Sequence, residues 1–259
     1  MPSRWSRGRG AVPDENDPVS VHDASARHLP VAAMSRSIRV LAILGGTFDP
    51  IHYGHLRLAA EVKAALGLPE VRLIPAGNPP HRDAPVASGA DRLAMTRLGC
   101  GEFAGLGVDG REIERAGPSY TVQTLEALHA EQPALPLALL IGADAFAGLT
   151  QWWRWERLFT LAHFVVVERP GAAAAALPPA LEVHWQRRLT TDPARLERTL
   201  AGSIVRVEVT PQPIAASAIR AALARGPEGR AEVRGLLPAA VLDYIDRNQL
   251  YLPPSPQEP

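Results

Sequence analysis

Ile38-Arg39-Val40-Leu41-Ala42-Ile43-Leu44-Gly45-Gly46-Thr47-Phe48-Asp49-Pro50-Ile51-His52-Tyr53-Gly54-His55 is the stretch from which the architecture can be read. Ile38 to Leu44 is a short, nearly continuous apolar run closed by two glycines, which suits a strand buried on both faces of a parallel sheet. The glycines let the backbone approach a ligand without a side chain in the way. A helix beginning near Gly54 then turns its free N–H groups toward an anion. The loop is not of the Walker type, since no Lys-Ser or Lys-Thr follows the glycines, and it lacks Gly-x-Gly-x-x-Gly. It carries two imidazoles instead. His52 and His55 stand at i and i+3 across the turn into the helix, where both can donate to one polyphosphate.

Working outward, His55 to Leu66 keeps apolar residues at helical spacing, with Leu56, Ala59, Ala60, Val62 and Leu66 sharing much of one face. Val71 to Pro75 reads as a second strand. Helical segments are expected at Asp91 to Leu98 and Tyr120 to Ala130, with an extended segment at Val108 to Ile113 between them. Strands are expected at Leu137 to Ile141, His163 to Val167 and Ile204 to Val209, and closing helices at Ser217 to Ala224 and Pro238 to Asp246. Such alternation implies an α/β domain: an open, mostly parallel sheet with helices on both faces and a small helical part at the C-terminus. Ligands in that architecture sit beyond the carboxyl ends of the strands. Pro170 to Ala201, beginning with an Ala-rich run, interrupts the rhythm and is expected to be an excursion containing some helix. Residues 1–34 read as a disordered extension, 35–252 as the domain and 253–259 as a loose Pro-rich tail.

Composition narrows the function classes. Lys plus Arg and Asp plus Glu both number 27, so no net positive field draws a nucleic-acid backbone or an anionic membrane, and a phosphate ligand must be held by a local site. No apolar run approaches the ~20 residues needed to cross a bilayer, and no secretory signal is evident. The only cysteine, Cys100, excludes an intrachain disulfide framework and a thiolate-built zinc site, and accords with a reducing cytoplasm. Cys100 falls on an apolar helix face and is expected in the core.

A strand, then Gly-Gly-Thr-Phe-Asp-Pro, then His-x-Gly-His resembles the nucleotidyltransferase superfamily with the HxGH signature, whose fold is Rossmann-like. That superfamily carries a second signature of the form Ile-Ser-x-Thr-x-Ile-Arg. Here Ile214-Ala215-Ala216-Ser217-Ala218-Ile219-Arg220 matches it in part, with Ala215 in place of a hydroxyl residue. Further segments are similar to the nicotinate-nucleotide adenylyltransferases: Pro79-Pro80-His81-Arg82, Gly117-Pro118-Ser119-Tyr120-Thr121, Ile141-Gly142-Ala143-Asp144, Trp152-Trp153 and Arg169-Pro170-Gly171. The ending Tyr244-Ile245 and Leu250-Tyr251 fits that family as well.

The resemblance implies adenylyl transfer from ATP, taken with Mg2+, to nicotinate mononucleotide, a step of NAD biosynthesis. It assigns His52, His55 and Arg220 to catalysis. It assigns Gly45, Gly46, Thr47, Phe48, Gly142, Asp144, Ser217 and Ile219 to ATP, and His81, Arg82, Thr121, Trp152 and Trp153 to the mononucleotide, with Trp152 stacking on the pyridine ring. No protein-bound metal site, nucleic acid or membrane is implied, and self-association is left open.

Plainer readings compete for some of these residues. Asp144 is equally suited to capping the helix that follows, the tryptophans to packing, Arg82 to solvent, and Tyr120 more to packing than to binding. Rival functions are the same chemistry on an amidated mononucleotide or phosphopantetheine, a nucleotide-binding regulator without turnover, and nucleic-acid binding through Arg4, Arg7 and Arg9. Met34 just before the first strand is the expected translation start, so the intact mass of the native protein should contain no residue before it; a heavier chain would reject that start.

Overall fold

The computed structural model describes residues 39–78, 84–171 and 176–252. The expected extension, the tail after Leu252, and His81 and Arg82 lie outside these. Among the described residues, six parallel strands form one sheet in the order β3-β2-β1-β4-β5-β6. They are β1 Leu41–Gly46, β2 Val71–Pro75, β3 Leu106–Val108, β4 Leu137–Gly142, β5 His163–Glu168 and β6 Ile204–Glu208. Chain order reverses between β1 and β4, and at such a switch point the loops leaving the two strands part and open a crevice.

Helix α1 (Tyr53–Leu66) joins β1 to β2, and α2 (Gly89–Cys100) joins β2 to β3. The return to β4 runs through α3 (Arg111–Glu114) and α4 (Thr121–Glu131). Helices α5 (Ala143–Ala147) and α6 (Trp155–Leu161) precede β5, and α7 (Pro179–Arg188) and α8 (Arg195–Arg198) precede β6. Three helices close the fold: α9 (Ala216–Leu223), α10 (Pro227–Val233) and α11 (Ala239–Arg247).

Strict alternation along the strands divides the core into two layers. Ala42, Ala138, Leu140, Val165 and Val167 face the layer shared with α1, α2 and α9 to α11. Leu41, Ile43, Leu139, Ile141, Phe164 and Val166 face the layer shared with α4 to α7. Burial on both faces is why these strands read as continuous apolar runs. Helix α1 buries Leu56, Ala59, Val62, Ala65 and Leu66 and is stopped by Gly67, whose φ of 62° lets its N–H return to the Ala64 and Lys63 carbonyls. Helix α2 starts at Ser88, whose hydroxyl accepts from the Asp91 N–H at 3.1 Å.

Several boundaries differ from the sequence reading. β1 extends through both glycines, because the Ala76 N–H reaches the Gly46 carbonyl at 2.8 Å and carries the β2 ladder that far. The segment expected to be extended from Val108 to Ile113 leaves the sheet at Val108. Asp109 accepts from the Arg111 N–H at 3.0 Å, and this side-chain turn starts α3. The excursion at Pro170 to Ala201 contains α7 and α8, with residues 172–175 outside the described part. Cys100 is buried as expected, and burial pushes its thiol up to about 12, so it stays protonated. Buried His163 accepts at Nδ1 from the Ser203 N–H (3.0 Å), and its Nε2 lies 2.8 Å from the Thr199 carbonyl, which makes it a structural neutral imidazole.

Helices α9 and α10 touch so closely that a methyl group at Gly229 would run into the Ala222 carbonyl oxygen. The oxygen belongs to backbone and the methyl carbon is fixed by the backbone that bears it, so neither can swing aside. Gly229→Ala should therefore lower stability by about 2 kcal/mol, read as a fall in the urea midpoint with an unchanged slope.

Candidate active site

The loop after β1 is shaped by close packing beneath it. Phe48 adopts a left-handed φ of 49°, is 2% exposed, and lies so tightly under Gly46 that a Cβ there would stand 2.6 Å from the ring. Only glycine fits. The loop passes through a cis Asp49–Pro50 peptide to His52, the residue that precedes α1. The His52 and His55 rings stack with centroids 3.7 Å apart at 23°, and the Phe48 ring meets His55 edge-on at 5.0 Å. Gly54 makes the stack possible, since a Cβ there would lie 2.8 Å from His52 Nδ1.

Nδ1 of each histidine is buried without a hydrogen-bond partner. Burial lowers His52 from 6.5 to about 4. Burial, and then the neighbouring His52, hold His55 well below the ordinary histidine value. Both rings are therefore neutral near pH 7, each with one N–H to donate and unmet polar capacity that a ligand can satisfy.

Two helix N-termini converge beside the rings. Neither α1 nor α9 has an acidic residue in its first turn, and neither has a side-chain cap. Ala215 is the residue before α9, so its missing hydroxyl leaves that end open, with N–H groups available to an anion. Ser217 is exposed in the first turn. Arg220 is anchored by donating to the Asp49 carbonyl at 2.7 Å, which ties α9 to the loop after β1.

Two clefts open at the carboxyl edge of the sheet. One, of about 500 Å³, is lined by His52, Gly54, His55, Gly142, Asp144, Arg169, Thr210, Ala215 and Ala216, among others. The other, of about 430 Å³, is lined by Gly45, Gly46, Thr47, Glu112, Thr121, Gly142, Trp152 and Trp153, among others. Gly142 belongs to both, so the clefts meet above β4, next to β1.

Of the residues expected on ATP, Gly142 and Asp144 line the histidine cleft, whereas Gly45, Gly46 and Thr47 line the other. Asp144 caps nothing: Gly142 precedes α5 and no side chain caps that helix. Ile219 is not at the ligand surface. Its side chain is 0% exposed because its position in α9 faces the core, and only neighbouring groups of that helix can reach a nucleotide. Phe48 is likewise a packing ring beneath the loop. In the second cleft Trp152 packs on the core as a wall, Thr121 opens α4, and the Trp153 ring, 44% exposed, leans on Tyr120 with centroids 4.7 Å apart. Tyr120 thus does both things, packing on Trp153 and lining the cleft.

The cytidylyltransferase-like family matches residues 43–222. A probable nicotinate-nucleotide adenylyltransferase of Acidithiobacillus ferrooxidans is 49% identical over 214 residues, covering 83% of this chain and 96% of its own. Another from Laribacter hongkongensis is 48% identical, covering 83% and 96% respectively. The chain belongs to the nicotinate-nucleotide adenylyltransferase family. Its fold is also that of Plasmodium falciparum nicotinic acid mononucleotide adenylyltransferase solved with NaAD, at a TM-score of 0.62 and 15% identity, over 82% of this chain and 97% of that one.

Three polar residues of this family member escaped the sequence reading. Asp49, 4% exposed, accepts from the Val86 N–H (2.8 Å), the Ala87 N–H (3.1 Å) and the Tyr251 hydroxyl (2.6 Å). Arg92, 1% exposed, donates to backbone carbonyls below the loop. Glu112 lines the tryptophan cleft and accepts from the Thr124 hydroxyl at 2.6 Å; burial raises its carboxyl, opposed by that bond. Arg92 carried a legible signal, since it shares a helix face with Met95, Thr96 and Gly99, all buried.

Because His52 is depressed in the folded state, the folded chain binds fewer protons than the unfolded one between pH 6.5 and about 4. Its contribution to stability is complete above that window and is lost as pH falls through it. Between about pH 7 and about pH 5 this amounts to about 2 kcal/mol. Urea midpoints at the two pH values should show a smaller acid-induced loss in His52→Asn than in the parent chain; equal losses would assign the sensitivity to other groups.

Proposed function

We propose that this chain transfers the adenylyl group of ATP to nicotinate mononucleotide, forming nicotinate adenine dinucleotide and pyrophosphate. The observation that carries the reading is the meeting of two nucleotide-sized clefts at Gly142, with the stacked imidazoles on one side of the junction and the glycine loop on the other. One cleft takes ATP against His52, His55 and the N-terminus of α9, with Asp144 accepting from ribose hydroxyls. The other takes the mononucleotide, its pyridine ring against Trp152 and its carboxylate on N–H groups near Thr121 and Trp153. His81 and Arg82, outside the described residues, are assigned to the mononucleotide phosphate by the sequence pattern alone.

In this reaction a phosphate oxygen of the mononucleotide attacks the α-phosphorus of ATP, the bond from that phosphorus to the bridging oxygen breaks, and pyrophosphate leaves with the electron pair. The nucleophile is already anionic, so no general base is needed. The site's task is alignment of two anions and stabilisation of the charge that grows on the α-phosphoryl and leaving oxygens. Neutral imidazole N–H groups and the helix N-termini supply donors that carry no formal charge, and the Arg220 guanidinium adds one fixed cation beside them. Magnesium enters as part of the MgATP substrate. Among the described residues no group of three His, Cys, Asp or Glu is placed to hold a metal ion.

A pyrophosphate-release assay with ATP, magnesium and nicotinate mononucleotide should show turnover that exceeds that with the amidated mononucleotide or phosphopantetheine. His55→Ala should lose ~10²-fold or more of it, about 3 kcal/mol. Faster turnover of another acceptor, or an unimpaired His55→Ala, would overturn the respective assignment.

A further inference from the structure

Arg92 lies in α2, outside both clefts, yet its guanidinium is 1% exposed and spends its donors on backbone. One terminal nitrogen donates to the Thr47 carbonyl at 2.8 Å and the Ala76 carbonyl at 2.6 Å. The other donates to the Gly77 carbonyl at 3.1 Å, and Nε to the Ala87 carbonyl at 3.4 Å. A single cation thus gathers the loop after β1, the loop after β2 and the approach to α2.

In a planar trans peptide the carbonyl and the following N–H point in opposite directions, so fixing one fixes the other. Two of the peptides held by Arg92 show this directly. The carbonyls of Ala76 and Gly77 turn to the guanidinium, while the N–H groups of Gly77 and Asn78 turn the other way, to the Ser119 hydroxyl, each at 3.2 Å. The Thr47–Phe48 peptide has the same arrangement on its carbonyl side. Its N–H has no hydrogen-bond partner among the described residues. Thr47 itself lines the tryptophan cleft, which meets the histidine cleft at Gly142.

We propose that Arg92 is a positioning residue for adenylyl transfer: by holding the Thr47 carbonyl beneath the loop, it presents the Phe48 N–H to an anionic oxygen at the reacting phosphates. This rests on the adenylyl-transfer reading above. A donor fixed in this way needs no reorganisation as charge develops, and its effect falls on turnover more than on binding. The demand on residue 92 is for a planar fork. A lysine ammonium brings the charge but cannot serve carbonyls from three segments in one plane.

The test compares Arg92→Lys, Arg92→Met and a backbone ester at Phe48, in which oxygen replaces the N–H with every side chain retained. All are assayed with ATP, magnesium and nicotinate mononucleotide at temperatures where circular dichroism shows them folded. The expected result is a ~10- to 100-fold fall in kcat for Arg92→Met and for the ester, an intermediate fall for Arg92→Lys, and KM values within about threefold of the parent. Combining Arg92→Met with the ester should cost no more than the larger single change, because both remove one donor. An ester variant with parental kcat overturns the proposal, as do fully additive losses. Should Arg92→Met fail to fold, the ester decides alone. Absence of turnover in the parent chain would instead refute the adenylyl-transfer reading, so the two failures are distinguishable.

Discussion

Asp49 accepts hydrogen bonds from the Val86 and Ala87 N–H groups and from the Tyr251 hydroxyl, while its backbone carbonyl holds Arg220. A buried carboxylate left short of partners is costly, so these donors are bound to the folded arrangement rather than merely compatible with it. The bonds tie the loop after β1 to the segment before α2, to the base of α9 and to the last turn after α11. Arg92 lies close enough to feel the Asp49 charge and holds the same loop by the Thr47 carbonyl. The loop after β1, the segment before α2, α9 and the last described turn are therefore joined at one cluster, and the stacked imidazoles follow directly after it in the chain.

The sheet explains why so much can depend on so short a loop. With the glycines paired inside the β1–β2 ladder, the backbone arrives at the crevice already fixed on one side. Burial keeps His52 and His55 uncharged, and the uncapped ends of α1 and α9 bring partial positive charge without a side chain that must be desolvated. A chain of zero formal charge can in this way gather hydrogen-bond donors and partial positive charge at one place.

Periodicity made the frame legible. β2 has the bounds read from its apolar run, β4 and β5 end one residue later, and α1, α4, α9 and α11 differ by a residue or two, because both faces of the sheet are buried and the hydrophobic pattern has little freedom. It failed where side chains, not burial, set the backbone: Asp109 ended β3 early, and the short α5, α6 and α10 are too brief to show a helical period. In the site, glycines and histidines announced themselves by type and spacing. Asp49 was quoted within its loop without a role, since its partners lie far away in sequence, the Tyr251 hydroxyl by 202 residues. Ala215 looked like a defect in the pattern and is instead the open end of a helix. Ile219 was carried along with its motif, although its place on α9 turns it inward.

The bond between Tyr251 and Asp49 also orders events in time. Translation proceeds from the N-terminus, so the strand, loop and histidines exist long before the residue whose hydroxyl completes the Asp49 cluster. However early the sheet condenses on the ribosome, the finished Asp49 cluster has to wait for the final described turn to be synthesised.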